Sequence, residues 1–422
     1  MFGRFLRAFI KIGRLTIHYP DGSETQVGEV PADYPNLDVV LRIKNRVTAW
    51  KVWLHPDPYF GEAYMDGSLV IERGSLWDLL DLCGRNIIHR RSWRRHPLVR
   101  MTQAITRRWQ QRNSRVNARR NVAHHYDLSG ALFRIFLDAD MQYSCAYFRN
   151  FGLSLDAAQR AKKQHIAAKL LLEPGHRVLD IGSGWGGLGL SLARDFNVQV
   201  TGVTLSQEQL ATARKRASEA GLDDKVTFDL RDYREIEEPF DRIVSVGMFE
   251  HVGTPNYQAF FDKIAQLLTA DGVALIHAIG RMDGPGLTSA WARKYIFPGG
   301  YMPALSEVLP AVEQAGLFVT DIEILRLHYA ETLRHWRARF LQNLSLVREL
   351  YDDRFCRMWE FYLAGSEMAF RHDGLMVFQL QLARQVGTVP LTRDYIFDQE
   401  RASDKKFINS ISENLSSVIA RA

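Results

Sequence analysis

The most constraining stretch of the chain is an apolar run that breaks into closely spaced glycines at residues 177–187 of 422. Residues 177–181 have the apolar character of a buried parallel strand. Gly182, Gly184 and Gly186 follow it. Because glycine has no Cβ, a ligand can approach this backbone closely, and the free N–H groups of the next helix point towards it. The stretch predicts a nucleotide-like ligand at a strand-to-helix turn.

The glycine spacing alone fits two cofactors. Gly182, Gly184 and Gly187 also satisfy the GxGxxG pattern of dinucleotide-binding proteins. Those proteins use an acidic residue about twenty positions further on to hold the ribose, but residues 200–204 contain no carboxylate. Asp180, before the first glycine, instead matches the DxGxGxG start of the S-adenosylmethionine (SAM) methyltransferases. The turn therefore favours SAM.

Strands and helices alternate around this turn in the manner of an open parallel sheet. The predicted strands are 177–181, 198–203, 225–230, 240–246, 272–278, 318–327 and 375–382. We expect an α/β fold over residues 121–422, a Rossmann-like class I SAM methyltransferase domain with a seven-stranded sheet. Ser206 is a predicted N-cap of the helix at 206–220. The Gly- and Pro-rich insertion 281–303 is predicted to form a lid or substrate wall.

The first 88 residues predict a smaller, separate α+β domain. Its predicted strands are 15–19 and 38–43, and its predicted helices are 46–54 and 76–83. Residues 61–67 contain no defensible pair of nucleophile and base, so we interpret them as a packing or interface turn.

An arginine-rich linker is predicted over residues 89–120. Eleven arginines and no Asp, Glu or Lys lie between Arg90 and Arg120, which gives the net charge of +6 a local origin. Trp93 and Trp109 lie among these arginines. Arginine with interfacial tryptophan suits an anionic phospholipid surface at least as well as RNA, and the alternative is a plain solvated linker.

The spacing of the cysteines and the hydropathy of the chain indicate the cellular compartment of the protein. Cys83, Cys145 and Cys356 lie far apart and show no metal-binding spacing, which indicates a reducing compartment and no metal site. No apolar run approaches the length of a membrane span, and the basic N-terminus has no long apolar signal region. We expect a cytoplasmic protein.

Polar side chains follow the predicted strands at their carboxyl ends, where ligands bind in open α/β sheets. They are Thr204, Ser206, Gln209, Asp232, Tyr233, Glu250, His251 and His277. Asp232 can accept from an adenine amino group, or it is a solvated turn residue. Glu250 ends a nearly apolar run, where burial without a partner is costly, and this favours a functional role. His277 and Cys145 by themselves are typical of core residues.

Six spaced motifs together resemble the cyclopropane-fatty-acyl-phospholipid synthases, SAM-dependent bacterial enzymes related to the mycolic acid cyclopropane synthases. The motifs are YSCAYF at 143–148, the turn at 178–187, and residues 204–209, 231–234, 248–253 and 328–336. The resemblance spans nearly the whole chain and includes residues 61–67.

The resemblance implies a reaction in which the cis double bond of an acyl chain in a membrane phospholipid attacks the methyl group of SAM. Loss of a proton from the resulting carbocation to a bound bicarbonate or carbonate then closes a three-membered ring. Such a cation needs a dry, aromatic-lined pocket. The resemblance implies a bicarbonate site at Cys145, Glu250, His277, the backbone of Ile279, and Tyr329.

We expect SAM at twelve positions. They are Tyr143, Ser144, Asp180, Gly182, Gly184, Trp185, Gly186, Thr204, Ser206, Gln209, Asp232 and Tyr233. The implied partners are an unsaturated phospholipid, an anionic membrane surface and a second copy of the chain in a homodimer, with no nucleic acid. The N-terminal domain is then expected to associate with lipid, and the protein to lie peripherally on the inner face of the cell membrane.

Three alternatives stay open. A fatty-acyl methyltransferase of the same family could yield a methyl- or methylene-branched chain, since the product depends on which proton the base removes. An RNA methyltransferase could use the arginines to bind phosphates, but Trp291, Phe297 and Trp336 are among many residues that favour a lipid pocket. The third alternative, a membrane-binding module without turnover, is disfavoured by the presence of Cys145 and Glu250 together with the rest of the implied site.

Overall fold

The computed structural model describes residues 2–87 and 130–419. The predicted arginine-rich linker, 89–120, lies outside the described residues, and so does its expected contact with a membrane. Two sheets, one of four strands and one of seven, organise the described chain. No helix in these two ranges is both long and apolar enough to cross a membrane.

The four-stranded sheet lies in the N-terminal part. The elements there are α1 (Phe2–Phe9), β1 (Gly13–His18), β2 (Glu24–Glu29), β3 (Asp38–Ile43), α2 (Arg46–Leu54), α3 (Pro56–Met65), β4 (Leu69–Arg73) and α4 (Leu76–Ile87). The strand order is β2-β1-β3-β4. The predicted strands and helices are confirmed, whereas β2 and β4 were missed. In β2 only Val27 is buried, so this polar strand shows no alternating apolar pattern.

The seven-stranded sheet occupies the rest of the chain. Its elements are α5 (Gly130–Phe136), α6 (Leu155–Lys169), β5 (Arg177–Ile181), α7 (Gly187–Phe196), β6 (Gln199–Thr204), α8 (Gln207–Glu219), β7 (Val226–Leu230), β8 (Phe240–Val246), α9 (Tyr257–Leu267), β9 (Leu268–Arg281), α10 (Ala290–Tyr295), α11 (Leu305–Gln314), β10 (Phe318–Leu325), α12 (His328–Gln342), α13 (Leu344–Leu350), α14 (Asp353–His372), β11 (Leu375–Ala383) and α15 (Asp394–Ile419). The order is β10-β11-β9-β8-β5-β6-β7. Strand β11 runs antiparallel to both of its neighbours, and the pairs from β9 to β7 are parallel. The α/β fold with a seven-stranded sheet is confirmed.

The position of β5 in the sheet determines where a ligand can bind. β5 pairs with β6 on one side and with β8 on the other, so the chain leaves it in opposite directions and opens a crevice at its carboxyl end. Leu179 and Ile181 pack in the cluster that contains the aromatic residues of α9. Val178 packs on the other face, with the apolar residues of α7. Burial on both faces explains the continuous apolar run in the sequence.

The insertion 281–303 is attached to the N-terminal domain. The carboxylate of Asp57 accepts hydrogen bonds from the backbone N–H groups of Ala290 and Trp291, both at 2.8 Å, and so caps α10. A Cβ added at Gly61 would lie 2.5 Å from Nε1 of Trp291. Gly61 therefore lets α3 approach α10 closely, and the predicted interface role of residues 61–67 is confirmed, although most of the segment is helical rather than a turn.

The close contact at Gly61 predicts the effect of one added methyl group. We expect Gly61→Ala to lower the free energy of unfolding by about 1–2 kcal/mol, because the Trp291 ring must shift and overpacking of this kind is destabilising. Gly365→Ala in α14 is the matched control, since its Cβ would meet nothing within 4 Å and alanine is favoured in helices by about 0.5–1 kcal/mol. Urea denaturation measures both. Equal stabilisation by the two substitutions would contradict the proposed packing.

Candidate active site

A cleft opens at the carboxyl ends of β5, β6, β7 and β8. It contains ten of the predicted SAM residues, namely Tyr143, Ser144, Asp180, Gly182, Gly184, Trp185, Thr204, Gln209, Asp232 and Tyr233. Ser206 and Gly186 do not line the cleft. They have structural roles in the helices next to it. Ser206 is the N-cap of α8, as predicted, because its side chain accepts from the N–H of Gln209.

The glycines of the turn have different roles. Gly182 and Gly184 line the cleft with φ of +85° and +55°, a conformation that side chains with a Cβ rarely adopt. Gly186 also has a positive φ, +83°. A Cβ there would lie 2.7 Å from Cζ of Phe228, so Gly186 serves the packing of α7 against the sheet rather than ligand contact.

One end of the cleft is suited to an adenosine group. The Thr204 hydroxyl donates to Oε1 of Gln209 at 2.9 Å, which leaves the Gln209 amide N–H groups as donors. Asp232 is only 2% exposed, so the solvated-turn alternative is wrong. Nε of Arg234 donates to Oδ1 of Asp232 at 2.8 Å. The Tyr233 ring packs edge-on against Phe260.

The other end of the cleft carries buried ionisable groups. Asp180 is buried, its Oδ2 has no hydrogen-bond partner among the described residues, and burial raises its pKa to about 7. An unpartnered carboxylate oxygen on the cleft wall fits a ligand that brings an amine, as the methionine half of SAM does. SAM thus fits the donor and acceptor set of this cleft.

Lys162 of α6 lies directly behind this end, and our sequence reasoning missed it. Its side chain is fully buried and donates to Oε1 of Gln142 at 2.6 Å and to Oγ of Ser144 at 2.8 Å. A sequence signal existed, since Ala158 and Ile166, four residues away on either side, are buried on the same face of α6. A lysine within such an apolar stripe indicates a specific partner.

A second group of polar side chains is buried outside the cleft wall. The turn Phe249–His251 separates His251, which lines the cleft, from Glu250, which does not. Oε1 of Glu250 accepts from the backbone N–H of Ile279 at 2.6 Å, and Oε2 has no partner within the described ranges. Burial raises the pKa of Glu250 to about 7. The Ile279 N–H, implied as a bicarbonate donor, is thus already hydrogen-bonded to Glu250.

His277 lies on the same face of β9 as Ile279, two residues before it. Nε2 of Gln379, directly across on β11, lies 3.2 Å from Nδ1 of His277. An amide N–H in this position donates to Nδ1 and so directs the imidazole proton to Nε2, which has no partner in the described part of the chain. Burial lowers the pKa of His277 well below its usual value, so the ring is neutral.

Gln379 is a second residue that sequence reasoning missed. It is fully buried within the otherwise apolar start of β11. A glutamine at the centre of a buried strand is costly unless it is hydrogen-bonded. The sequence contained that signal, but it did not show that the partner is His277, which lies 102 positions away.

Cys145 and Tyr329 belong to one aromatic cluster, against which Ile279 packs. Burial raises the pKa of the Cys145 thiol, so the thiol stays protonated and is not a nucleophile. Trp336 is stacked on Tyr143, with ring centroids 5.2 Å apart, and meets the Tyr329 ring edge-on at 5.8 Å. The cluster connects the cleft, through Tyr143, with the buried polar group. A neutral acid and a neutral imidazole in such a place can donate hydrogen bonds to an anion, whereas the Cys145 thiol already donates to the carbonyl of Ala146 at 3.3 Å.

Comparison with known proteins agrees with this geometry. The model of the mycolic acid cyclopropane synthetase family matches residues 113–380. The chain belongs to that family. It is a SAM-dependent methyltransferase, with SAM as the methyl donor.

Two curated relatives and one solved structure show the similarity in detail. Tuberculostearic acid methyltransferase UfaA1 of Mycobacterium tuberculosis is 37% identical over 88% of each chain. The cyclopropane-fatty-acyl-phospholipid synthase of Escherichia coli is 42% identical over 62% of this chain and 67% of its own length. The structure of mycolic acid cyclopropane synthase CmaA1 complexed with SAH and CTAB is 35% identical, with a TM-score of 0.59, over 63% of this chain and 97% of that one.

The raised pKa of Glu250 predicts a pH dependence of stability. Glu250 holds its proton more tightly in the folded chain, so its contribution favours folding below pH about 4.5 and is lost as the pH rises to about 7. At 1.36 kcal/mol per pKa unit, we expect Glu250→Gln to gain up to about 3 kcal/mol relative to the parent across this range. Urea denaturation at several pH values measures the difference.

Glu331→Gln is the control with the opposite sign. Arg334 is hydrogen-bonded to Glu331 and lowers its pKa, so Glu331 contributes stability that is present at neutral pH and lost in acid. We expect Glu331→Gln to lose stability relative to the parent as the pH rises. A Glu250→Gln difference that does not change with pH would contradict the buried-acid assignment.

Proposed function

We propose that the protein is a cyclopropane-fatty-acyl-phospholipid synthase, which adds a methylene group from SAM across the cis double bond of an acyl chain in a membrane phospholipid. The observation that supports this most is the pairing of a SAM cleft with the buried Glu250 and His277, each of which has an unpartnered polar atom. An alkene gives up a proton only after the methyl group has been transferred, so the reaction needs a proton acceptor beside the acyl chain, and buried hydrogen-bond donors can hold one there.

The chemistry places two demands on the chain. SAM supplies an electrophilic methyl group, and the π electrons of an alkene can attack it without a base. The carbon–sulfur bond breaks as the new carbon–carbon bond forms, and a positive charge is left on the acyl chain. The ring of Tyr143, which lines the cleft, can stabilise that charge, and the buried rings of Tyr329 and Trp336 help to keep water away from it. Water would otherwise convert the cation to an alcohol.

The second demand is an acceptor for one proton. A bound bicarbonate would supply that acceptor. Glu250, kept protonated near neutral pH by its raised pKa, can donate to such an anion through the unpartnered Oε2. His277 can donate from Nε2, given the proton position that Gln379 favours. The Cys145 thiol donates to the carbonyl of Ala146 at 3.3 Å and would have to leave it to reach an anion. The donor set therefore fits a small anion.

A related product is a second candidate. A relative that matches 88% of this chain is named a tuberculostearic acid methyltransferase. A hydride shift from the methylated carbon to the neighbouring cationic carbon, followed by loss of a methyl proton, gives a methylene-branched chain. The same cleft and buried group serve either outcome, because methyl transfer precedes the step at which the products diverge. The RNA methyltransferase alternative has no comparable support, since its arginines lie outside the described residues.

A lipid assay tests the proposed function. Purified protein is incubated with SAM and vesicles that contain a cis-unsaturated phospholipid, and the fatty acid methyl esters are analysed by mass spectrometry before and after hydrogenation. We expect a gain of one CH₂ that resists hydrogenation. A product that takes up hydrogen would indicate the methylene branch, and no lipid product at all would contradict the proposal.

Glu250→Gln is the matched control for this assay. It keeps the size of the side chain and its acceptor for the Ile279 N–H, but it removes the acid. We expect no lipid product and unchanged SAM binding, measured by calorimetry. Loss of SAM binding would show that Glu250 belongs to the cleft rather than to the second group.

We also propose that the protein lies peripherally on the cytoplasmic face of an anionic membrane, and that helix α2 contacts it. Val47, Trp50 and Leu54 are 62%, 61% and 56% exposed. Their spacing of three and four residues places them on one face of α2. Residues 44–54 contain lysine and arginine and no carboxylate. An exposed apolar face beside cations is typical of helices that lie in a membrane interface. The homodimer stays a prediction.

The proposed contact predicts the effect of a charge on α2. We expect Trp50→Glu to reduce sedimentation with vesicles that contain phosphatidylglycerol, because a carboxylate opposes both the apolar contact and the anionic surface. SAM binding should be unchanged, since α2 does not line the cleft. Leu391→Glu is the control, an exposed apolar residue elsewhere on the chain. Equal sedimentation of Trp50→Glu and the parent would exclude α2 as the contact.

A further inference from the structure

Lys162 is a buried cation that contacts no carboxylate directly in the described part of the chain, although Asp138 and Asp140 lie near enough to raise its pKa. Its side chain is fully buried, and both of its hydrogen bonds go to neutral oxygens, Oε1 of Gln142 and Oγ of Ser144. Within residues 2–87 and 130–419 it forms no salt bridge, in contrast to its neighbour Lys163, which pairs with Asp140 at 2.5 Å. A buried ammonium group that has no anion in direct contact is costly.

The two acceptors of Lys162 are themselves on the cleft wall. Gln142 and Ser144 both line the cleft, so the ammonium group lies one hydrogen bond behind its surface. The backbone there is held firmly, because Nε2 of Gln159 donates to the carbonyl of Ser144 at 2.9 Å. The positive charge of Lys162 can therefore act at the cleft through the Ser144 hydroxyl and through the second amide N–H of Gln142, since the first donates to Oδ2 of Asp140 at 3.0 Å.

Asp180 lines the same cleft and presents the opposite charge. Its Oδ2 is buried and unpartnered among the described residues. A cleft that has a carboxylate at one position and a cation-backed hydroxyl at another complements a ligand with both an amine and a carboxylate. An α-amino acid group has this pair of charges, and the methionine half of SAM is such a group.

We propose that Lys162 is a positioning residue for SAM, which acts through Ser144 and Gln142 to neutralise the carboxylate of the methionine half. The bound carboxylate adds a negative charge on the cleft side of these two acceptors, and Asp180 receives the amine. The inference rests on SAM as the methyl donor and is independent of which lipid is methylated. Burial lowers the pKa of Lys162 to about 8, although the carboxylates of Asp138 and Asp140 oppose this shift.

The proposal is tested by changing the lysine and the carboxylate separately. The ligands are S-adenosylhomocysteine and its carboxamide, in which the carboxylate is replaced by a neutral amide, and calorimetry measures their dissociation constants. We expect the parent protein to prefer the carboxylate ligand by roughly 10- to 100-fold, the size of a charge-assisted contact. Lys162→Met should reduce this preference to within about threefold. Lys163→Met is the matched control and should keep the full preference.

Three outcomes would overturn the proposal. The first is that the parent protein binds the two ligands equally, a result that can be obtained without any variant. The second is weaker binding of both ligands by Lys162→Met with the preference unchanged, because a purely structural lysine would behave in that way. If Lys162→Met does not fold, Lys162→Gln replaces it. The third outcome is that Lys162→Gln keeps the full preference for the carboxylate ligand over the carboxamide. Because binding is measured without lipid, these results do not depend on the proposed reaction.

Discussion

The proposed reaction forms a carbocation on an acyl chain, which survives only where water does not reach it, and the arrangement of the active site fits this requirement. Cys145, Tyr329 and Trp336 are buried in one cluster of aromatic and aliphatic residues, and Glu250 and His277 are buried as well. Exclusion of water has a cost, because each ionisable group in the site loses its hydration. The structure meets that cost by keeping these groups neutral or by leaving polar atoms for a ligand to satisfy.

The burial of Glu250 and His277 also separates them from the cleft in which SAM is expected to bind. The SAM cleft lies at the carboxyl ends of β5 to β8 and is open to a ligand, whereas Glu250 and His277 lie off its wall. Tyr143 belongs to both regions, since it lines the cleft and is stacked on Trp336. A methyl group presented in the cleft would therefore meet the acyl chain at the boundary between a polar site and a dry one. The N-terminal domain holds α10 of the insertion in place, because Asp57 accepts a hydrogen bond from the Ala290 N–H.

Sequence patterns predicted most of the sheet and most of the cleft, because both depend on local signals. The apolar run of β5, the glycines after it and the cap at Ser206 are each recognisable within a few residues. Lys162 and Gln379 were missed because their partners are not on the same helix or strand, and the partner of Gln379 lies 102 positions away. A polar residue in an apolar stripe shows that a partner exists, but not which one. Strand β2 was missed because pairing with β1, rather than apolar alternation, holds it in the sheet.

The roles of Glu250, His277 and Tyr329 came from the resemblance, and the structure adds physical reasons for the first two. Glu250 is an acid that burial keeps protonated, and His277 is neutral, with its proton position favoured by Gln379. The structure also shows a feature that the resemblance did not imply. The Ile279 N–H is hydrogen-bonded to Glu250, so an anion there must share this donor or displace the carboxyl oxygen. The sequence shows neither the Gln379–His277 contact nor the Ile279–Glu250 hydrogen bond, because strand register and side-chain burial create both.

Isotope labelling of the methyl group tests the central claim, that a methyl group joins the acyl chain and then loses one proton to a buried acceptor. SAM with a fully deuterated methyl group is incubated with the protein and vesicles of unsaturated phospholipid, and the product is analysed by mass spectrometry. We expect a lipid that retains two of the three deuterium atoms, with the third released to solvent. A product that retains all three would mean that the methyl group is transferred intact, and it would contradict the claim.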